Sequence, residues 1–184
     1  MIRDLPLEEI QTILLSLVKG YDGKDPWYLF ALGLALEGKE QALYPHLINN
    51  LEGENPEDWE PALASLITEI HPKASVSALH KRAASNQLNP EERHKALVGL
   101  AFVSSKDASE AIRNLALEGP QDIREQAQYW LQFRKNNDWR DYLKDWVAPE
   151  KPIPEANAAM LELRGKVADE NLNFNQRLEA AKMM

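Results

Sequence analysis

Four histidines, His46, His71, His80 and His94, are the side chains of this sequence best suited to bind a metal or move a proton near neutral pH. Helical metal sites place ligands one turn apart, as in His-Glu-x-x-His, and no two of these histidines have that spacing. His71 instead precedes Pro72, at an expected helix junction. Carboxylates occur in pairs, Glu8 with Glu9 and Asp141 with Asp145, and such a pair could divide general acid from general base. At helical positions, solvated faces and dipole partners account for them without catalysis. The serines have no positioned base, and no glycine-rich phosphate loop occurs. With no cysteine there is no thiolate ligand, disulfide or thioether-linked haem. The expectation is therefore a chain with no catalytic residue, no metal site and no cofactor of its own.

The densest group of interaction-prone side chains is aromatic and basic: Tyr129, Trp130, Phe133, Arg134, Lys135, Trp139, Arg140, Tyr142 and Trp146. Three of the five tryptophans fall within these residues, and Trp and Arg are enriched at binding hot spots. Two accounts follow. In the first, Trp130 and Trp139 fill the gap between two helices while the following segment covers Trp146. In the second, the exposed part of Trp130, Arg134, Trp139, Arg140, Tyr142 and Trp146 docks a protein partner or a neighbouring domain of the same polypeptide.

The elements that must position this cluster are legible in the pattern of apolar residues. The chain has 184 residues, 44% hydrophobic and 27% charged, within the range of one globular domain. No run approaches the roughly 18 apolar residues of a membrane span, so none is expected. A net charge of −8 opposes binding to nucleic acid or anionic lipid. The first residues show no secretory signal, which leaves a cytoplasmic protein or a piece of a longer one. Arg177 to Met184 ends inside a helical pattern without a stop signal, which reads as a truncation.

Five windows share a spacing. The anchors Trp27, Trp59, Arg93, Arg124 and Arg177 are followed three residues on by Phe30, Ala62, Ala96, Ala127 and Ala180, and seven on by Leu34, Leu66, Leu100, Leu131 and Met184. Offsets of 0, 3 and 7 lie on one helix face, expected to turn inward with a small residue where a neighbouring helix approaches and a large apolar one a turn later. Second helices are expected over 41–51, 73–84 and 107–117, and a leading helix over 6–19 whose Ile10, Ile13, Leu14, Leu17 and Val18 pack inward. Asn55-Pro56-Glu57-Asp58 and Asn89-Pro90-Glu91-Glu92 read as matched helix starts: an Asn cap, a first-turn proline and two acids on the dipole's positive end. No β-type alternation occurs, so the fold class is all-α: a right-handed α-solenoid of short HEAT-like helix pairs. Its expected divisions are an array over 1–147 made of a leading helix plus four helix pairs, a proline-rich linker over 148–154, and a further helix with the start of a fifth repeat over 155–184, read as truncated.

The runs Gly20-Tyr21-Asp22-Gly23-Lys24-Asp25-Pro26-Trp27-Tyr28, Ala31-Leu32-Gly33 and Glu37-Gly38-Lys39-Glu40 resemble the helical-repeat region of large bacterial PVC-type haem-binding or membrane-bound dehydrogenase-like proteins. So do Gln128-Tyr129-Trp130-Leu131-Gln132-Phe133-Arg134 and Asn136-Asn137-Asp138-Trp139-Arg140-Asp141-Tyr142. The resemblance spans about Leu5 to Met184. It implies an exported parent in which a sugar-dehydrogenase-like β-propeller precedes the repeats and a cytochrome c module follows. Neither Cys-x-x-Cys-His nor propeller repeats occur here, so haem ligation and sugar oxidation fall outside this chain. The leading functional expectation is a non-catalytic interaction or interdomain scaffold. The alternative is a DNA-binding protein resembling HEAT-like alkylpurine glycosylases, with Lys81, Arg82, Arg93, His94 and Lys95 as its basic patch. The short repeat length alone also fits a repeat-type bilin lyase subunit.

Overall fold

Proline and asparagine set most of the helix starts in the computed structural model, which describes residues 4–51, 53–147, 165–169 and 172–182. The chain divides into two compact units, Met1–Trp146 and Val147–Met184. Among the described residues every regular element is helical and none is a strand. The first unit holds α1 (Leu7–Lys19), α2 (Pro26–Leu36), α3 (Glu40–Asn50), α4 (Pro61–Ile70), α5 (Val76–Ala84), α6 (Pro90–Phe102), α7 (Lys106–Glu118) and α8 (Gln121–Lys135), with single 3-10 turns at Pro56–Asp58 and Lys73–Ser75. The second unit holds α9 (Phe174–Lys182). There Asn173 Oδ1 accepts from the Gln176 amide at 3.0 Å while Gln176 Oε1 accepts from the Asn173 amide at 3.0 Å, a reciprocal cap. The expected linker over 148–154, most of the expected helix after it and the Met184 position lie outside the described residues.

Even-numbered helices pack in sequence, α2 on α4, α4 on α6 and α6 on α8. On the other side α1 packs on α3 and α5 on α7, and α3 reaches the next helix through the turn Lys73–Ser75. Contacts of α5 with α6, α6 with α7 and α7 with α8 join the two sides. Between them lies a core that includes Leu14, Leu36, Leu43, Leu47, Leu66, Ile67, Leu79, Leu97, Leu100, Ile112 and Leu131. Each such side chain contributes roughly 1.5 to 3 kcal/mol through removal from water.

The spaced windows reach this core unevenly. Leu66, Ala96, Leu100, Ala127 and Leu131 are buried as expected. The first window is corrected: Trp27, Phe30 and Leu34 are exposed, and α2 turns Leu32 and Leu36 inward instead. The reason lies in α2 itself, which is apolar on every side, so its sequence marks no inner face. On α1, Ile10, Leu14 and Val18 are buried, but Ile13 and Leu17 lie at the surface.

The matched tetrapeptides also part company. Asn89 builds a full capping box with Glu92, the Glu92 amide donating to Asn89 Oδ1 at 3.0 Å and the Asn89 amide to Glu92 Oε2 at 3.2 Å. Asn55 caps only the turn Pro56–Asp58, and α4 starts afresh at Pro61. A helix begun at Pro56 would carry Pro61 into its interior, where the ring meets the carbonyl one turn back; as a first residue it costs nothing. The second helix expected after α8 is replaced by consecutive turns from 136 to 145. Asn137 Nδ2 donates to the Phe133 carbonyl at 3.0 Å and the Trp139 amide to the Arg134 carbonyl at 3.1 Å, which ends α8 by satisfying its last acceptors.

Two tests address this packing. Leu36→Ala should cost about 2 to 5 kcal/mol in urea unfolding, whereas Leu34→Ala, two residues away on the same helix, should cost less than about 1 kcal/mol. Equal losses would place the inner face of α2 elsewhere. At Gly99 a Cβ would stand 3.1 Å from Thr68 Cα in the neighbouring α4. Alanine gains roughly 1 kcal/mol in helix propensity, but overpacking against backbone costs roughly 1 to 3 kcal/mol. Gly99→Ala should therefore lower the melting temperature.

Candidate functional site

The four histidines lie apart, each in its own surroundings. His46 Nδ1 lies 3.1 Å from Gln11 Nε2, and His94 pairs with Gln126 across α6 and α8. Burial pulls the His80 imidazole below its ordinary value. His71 ends α4 in the left-handed region at φ 31°, its Nδ1 2.9 Å from the Glu69 carbonyl. Among the described residues, no group of three or more His, Asp or Glu is arranged to hold a metal ion. Asp141 pairs with Lys144 at 3.1 Å, and Glu8 and Glu9 face solvent in the first turn of α1. No described helix is long and apolar enough to cross a membrane.

Of the basic patch weighed for DNA binding, Arg82 and Arg93 are largely buried, while Lys81, His94 and Lys95 lie at the surface. Arg82 is buried over the Trp59 ring, 5.5 Å from its centroid, and donates to the Pro56 carbonyl. Lys81 bonds Asn55 Oδ1 at 2.8 Å and pairs with Glu57 at 3.2 Å. Arg93 pairs with Asp122 at 2.9 Å, and Lys95 pairs with Glu91 at 2.7 Å. Each of these cations thus has an acceptor within the protein.

The aromatic and basic cluster splits between core and surface. Trp139 is fully buried, its indole N–H donating to the Val103 carbonyl at 3.2 Å. Trp146 is buried with Lys135 over its ring, and Lys135 also donates to the Trp146 carbonyl. Arg134 is buried between two rings, 5.4 Å from the Trp139 centroid and 5.7 Å from that of Phe102. Its guanidinium reaches Asp138 Oδ2 at 2.8 Å while Nε stays without a hydrogen-bond partner. Attraction to both ring faces and to the carboxylate offsets the loss of water around this cation. Trp130 is half-buried, and Arg140 and Tyr142 are exposed.

The surface part extends beyond the residues marked by sequence. Phe102, the last residue of α6, meets Trp130 edge-on at 5.7 Å between centroids. Trp130 meets Tyr129 at 5.6 Å and Phe133 at 5.9 Å, and on the other side the His71 imidazole lies 5.9 Å from Phe102. His71 in turn lines a concavity with Phe30, Gly33, Leu34 and Ile70. A row of aromatic and apolar side chains thus runs along the ends and outer faces of α2, α4, α6 and α8. Tyr129 is 62% exposed and Phe30, Phe102 and Phe133 about half exposed, well above what packing requires.

Burial explains why sequence missed half of this row. Phe30 and Leu34 carry the spacing of core residues, and Phe102 and His71 are single residues at helix ends whose meeting depends on how α4 and α6 are set. The unbroken apolar character of α2 was the available signal. A second concavity lies between α3 and α5, lined by Tyr44, Pro45, Ile48, Trp59, Ala78 and Lys81. Desolvation there raises the Tyr44 hydroxyl above its ordinary value.

These features define the class: an all-helical protein with an exposed aromatic row and no convergent reactive groups among the described residues. Comparison with family models, curated proteins and solved structures finds no match.

Asp138 offers a pH test of how the aromatic end is held. The Ser104 hydroxyl donates to its Oδ2 at 2.6 Å and the Arg134 guanidinium lies beside it, so the carboxyl is held below the usual carboxylate range. A depressed folded-state value means the stabilisation is present above the ordinary range and fades as pH falls through the depressed value. Asp138→Asn should thus be less stable than wild type at about pH 7, and the gap should narrow toward about pH 2. A gap independent of pH in chemical denaturation would show the pair to be without effect.

Proposed function

We propose that this chain is a non-catalytic interaction module, a short right-handed solenoid of HEAT-like helix pairs that holds a protein partner or neighbouring domains in a fixed relation. The sequential packing of α2, α4, α6 and α8 beside α1, α3, α5 and α7 supports the repeat reading. One observation carries the function: the row from Phe30 and Leu34 through His71 and Phe102 to Trp130, Tyr129 and Phe133 is contiguous and faces water. Contiguous apolar surface of this kind marks interaction sites, and aromatic residues supply most of their energy. In a parent of the PVC type that the sequence resembles, the module would join a dehydrogenase-like propeller to a cytochrome c domain. The burial of Arg82 and of most of the Arg93 side chain, each bonded to acceptors within the protein, counts against the glycosylase-like DNA reading.

A photocrosslinking amino acid at Tyr129 or Phe30, introduced in the cells that make the protein, should yield discrete protein adducts. The same group at Leu117, exposed on α7 away from the row, should not. Equal labelling at all three positions would overturn the assignment of the surface. Micromolar binding to duplex DNA with a steep salt dependence would replace it with the DNA reading.

A further inference from the structure

We infer that the aromatic row, taken as the interaction surface proposed above, accepts an extended peptide with a positive charge at one end and an apolar anchor at the other. The concavity between α2 and α4 specifies the charge. Phe30, Leu34 and Ile70 give it apolar walls, and Glu40 and Glu69 bring two carboxylates to it. Among the described residues no lysine or arginine lines it. Glu69 lies across α2 where Gly33 leaves room; a Cβ at Gly33 would stand 3.1 Å from Glu69 Oε1. Glu40 Oε1 is held by the Gly38 amide at 2.9 Å. A Lys or Arg side chain entering here would lay its methylenes on Phe30 and Leu34 and its head among the carboxylates, with the Phe30 ring face available to the cation. A phosphate backbone would meet repulsion from the same groups and from the net charge of −8.

The other end of the row specifies the anchor. Around Phe102, Trp130, Tyr129 and Phe133 the surface is aromatic, and the cation beneath it, Arg134, is buried and paired with Asp138. That end therefore favours apolar or aromatic side chains. Neighbouring helices in such a row lie about 8 to 10 Å apart, so the α2/α4 concavity and the α6/α8 rings are separated by roughly twice that distance. Extended chain covers such a span in about five or six residues.

The test uses fluorescently labelled octapeptides with the full chain: Arg-Arg-Gly-Ser-Gly-Ser-Leu-Phe, its reversed sequence, a version with Glu-Glu for Arg-Arg, and one with Gly-Ser for Leu-Phe. One of the two basic peptides that carry Leu and Phe should bind at least about tenfold more tightly than the acidic or anchor-free version, and added salt should weaken it. Glu69→Gln, at an exposed position, should weaken that peptide by about fivefold, with an unchanged circular dichroism melt. Phe102→Ala should weaken it comparably. Equal binding of the acidic peptide, undiminished affinity of the Glu69→Gln variant, or absence of binding by both basic peptides would overturn the inference. Specific photoadducts at Tyr129 or Phe30 together with any of these results would leave the interaction surface standing and remove only its partner's chemistry. Loss of the adducts would remove both.

Discussion

The close contact of α4 with α6 depends on Gly99, and the rest of the first unit follows from it. Gly99 faces Thr68, whose Cα and side chain would stand 3.1 to 3.3 Å from a Cβ there, so α6 adds no side chain of its own at that level. This close approach seats Leu66 and Ile67 of α4 against a core shared with Ala96, Leu97 and Leu100 of α6. It also brings the two helix ends side by side, setting the His71 ring against Phe102. Gly33 of α2 plays a related part with Glu69 of α4, except that the atoms it accommodates belong to a flexible side chain. Two glycines thus tune how the row closes up, one against Thr68 and one against the Glu69 carboxylate.

The far end of the unit solves a different problem. Beyond α8 the core is covered by residues 136 to 146, which bury Trp139, Leu143 and Trp146. The Trp139 indole bonds the Val103 carbonyl and Asp138 takes the Ser104 hydroxyl, so the segment between α6 and α7 is tied to these turns twice. Arg134 sits within the tie, buried between Trp139 and Phe102. The same guanidinium that completes the interior also supports the Phe102 ring from beneath. Structural closure and the exposed aromatic surface therefore share one side chain.

Much of the helical pattern was legible because helical period and cap chemistry are local. Asn89 with Glu92, the apolar stripe of α7 and the buried Leu66, Leu100 and Leu131 depend on residues within a turn or two. The near-duplicate starts at Asn55 and Asn89 were misleading because Pro61, outside the matched stretch, decides where α4 can begin. The aromatic surface was half legible. Tyr129, Trp130 and Phe133 stood out by composition, but Phe30, Leu34 and Phe102 carry no mark that separates an exposed ring from a buried one.

Periodicity alone determined that this chain is helical, where most of its helices begin and end, and which faces of α4, α6 and α8 go inward, since each of these follows from side chains a few residues apart. Tertiary structure decided which side of the uniformly apolar α2 meets water, that turns replace a helix after Arg134, and that rings from three helices meet in one row. Those outcomes depend on contacts between residues some thirty positions apart, set by helix spacing, and no short-range pattern encodes that spacing.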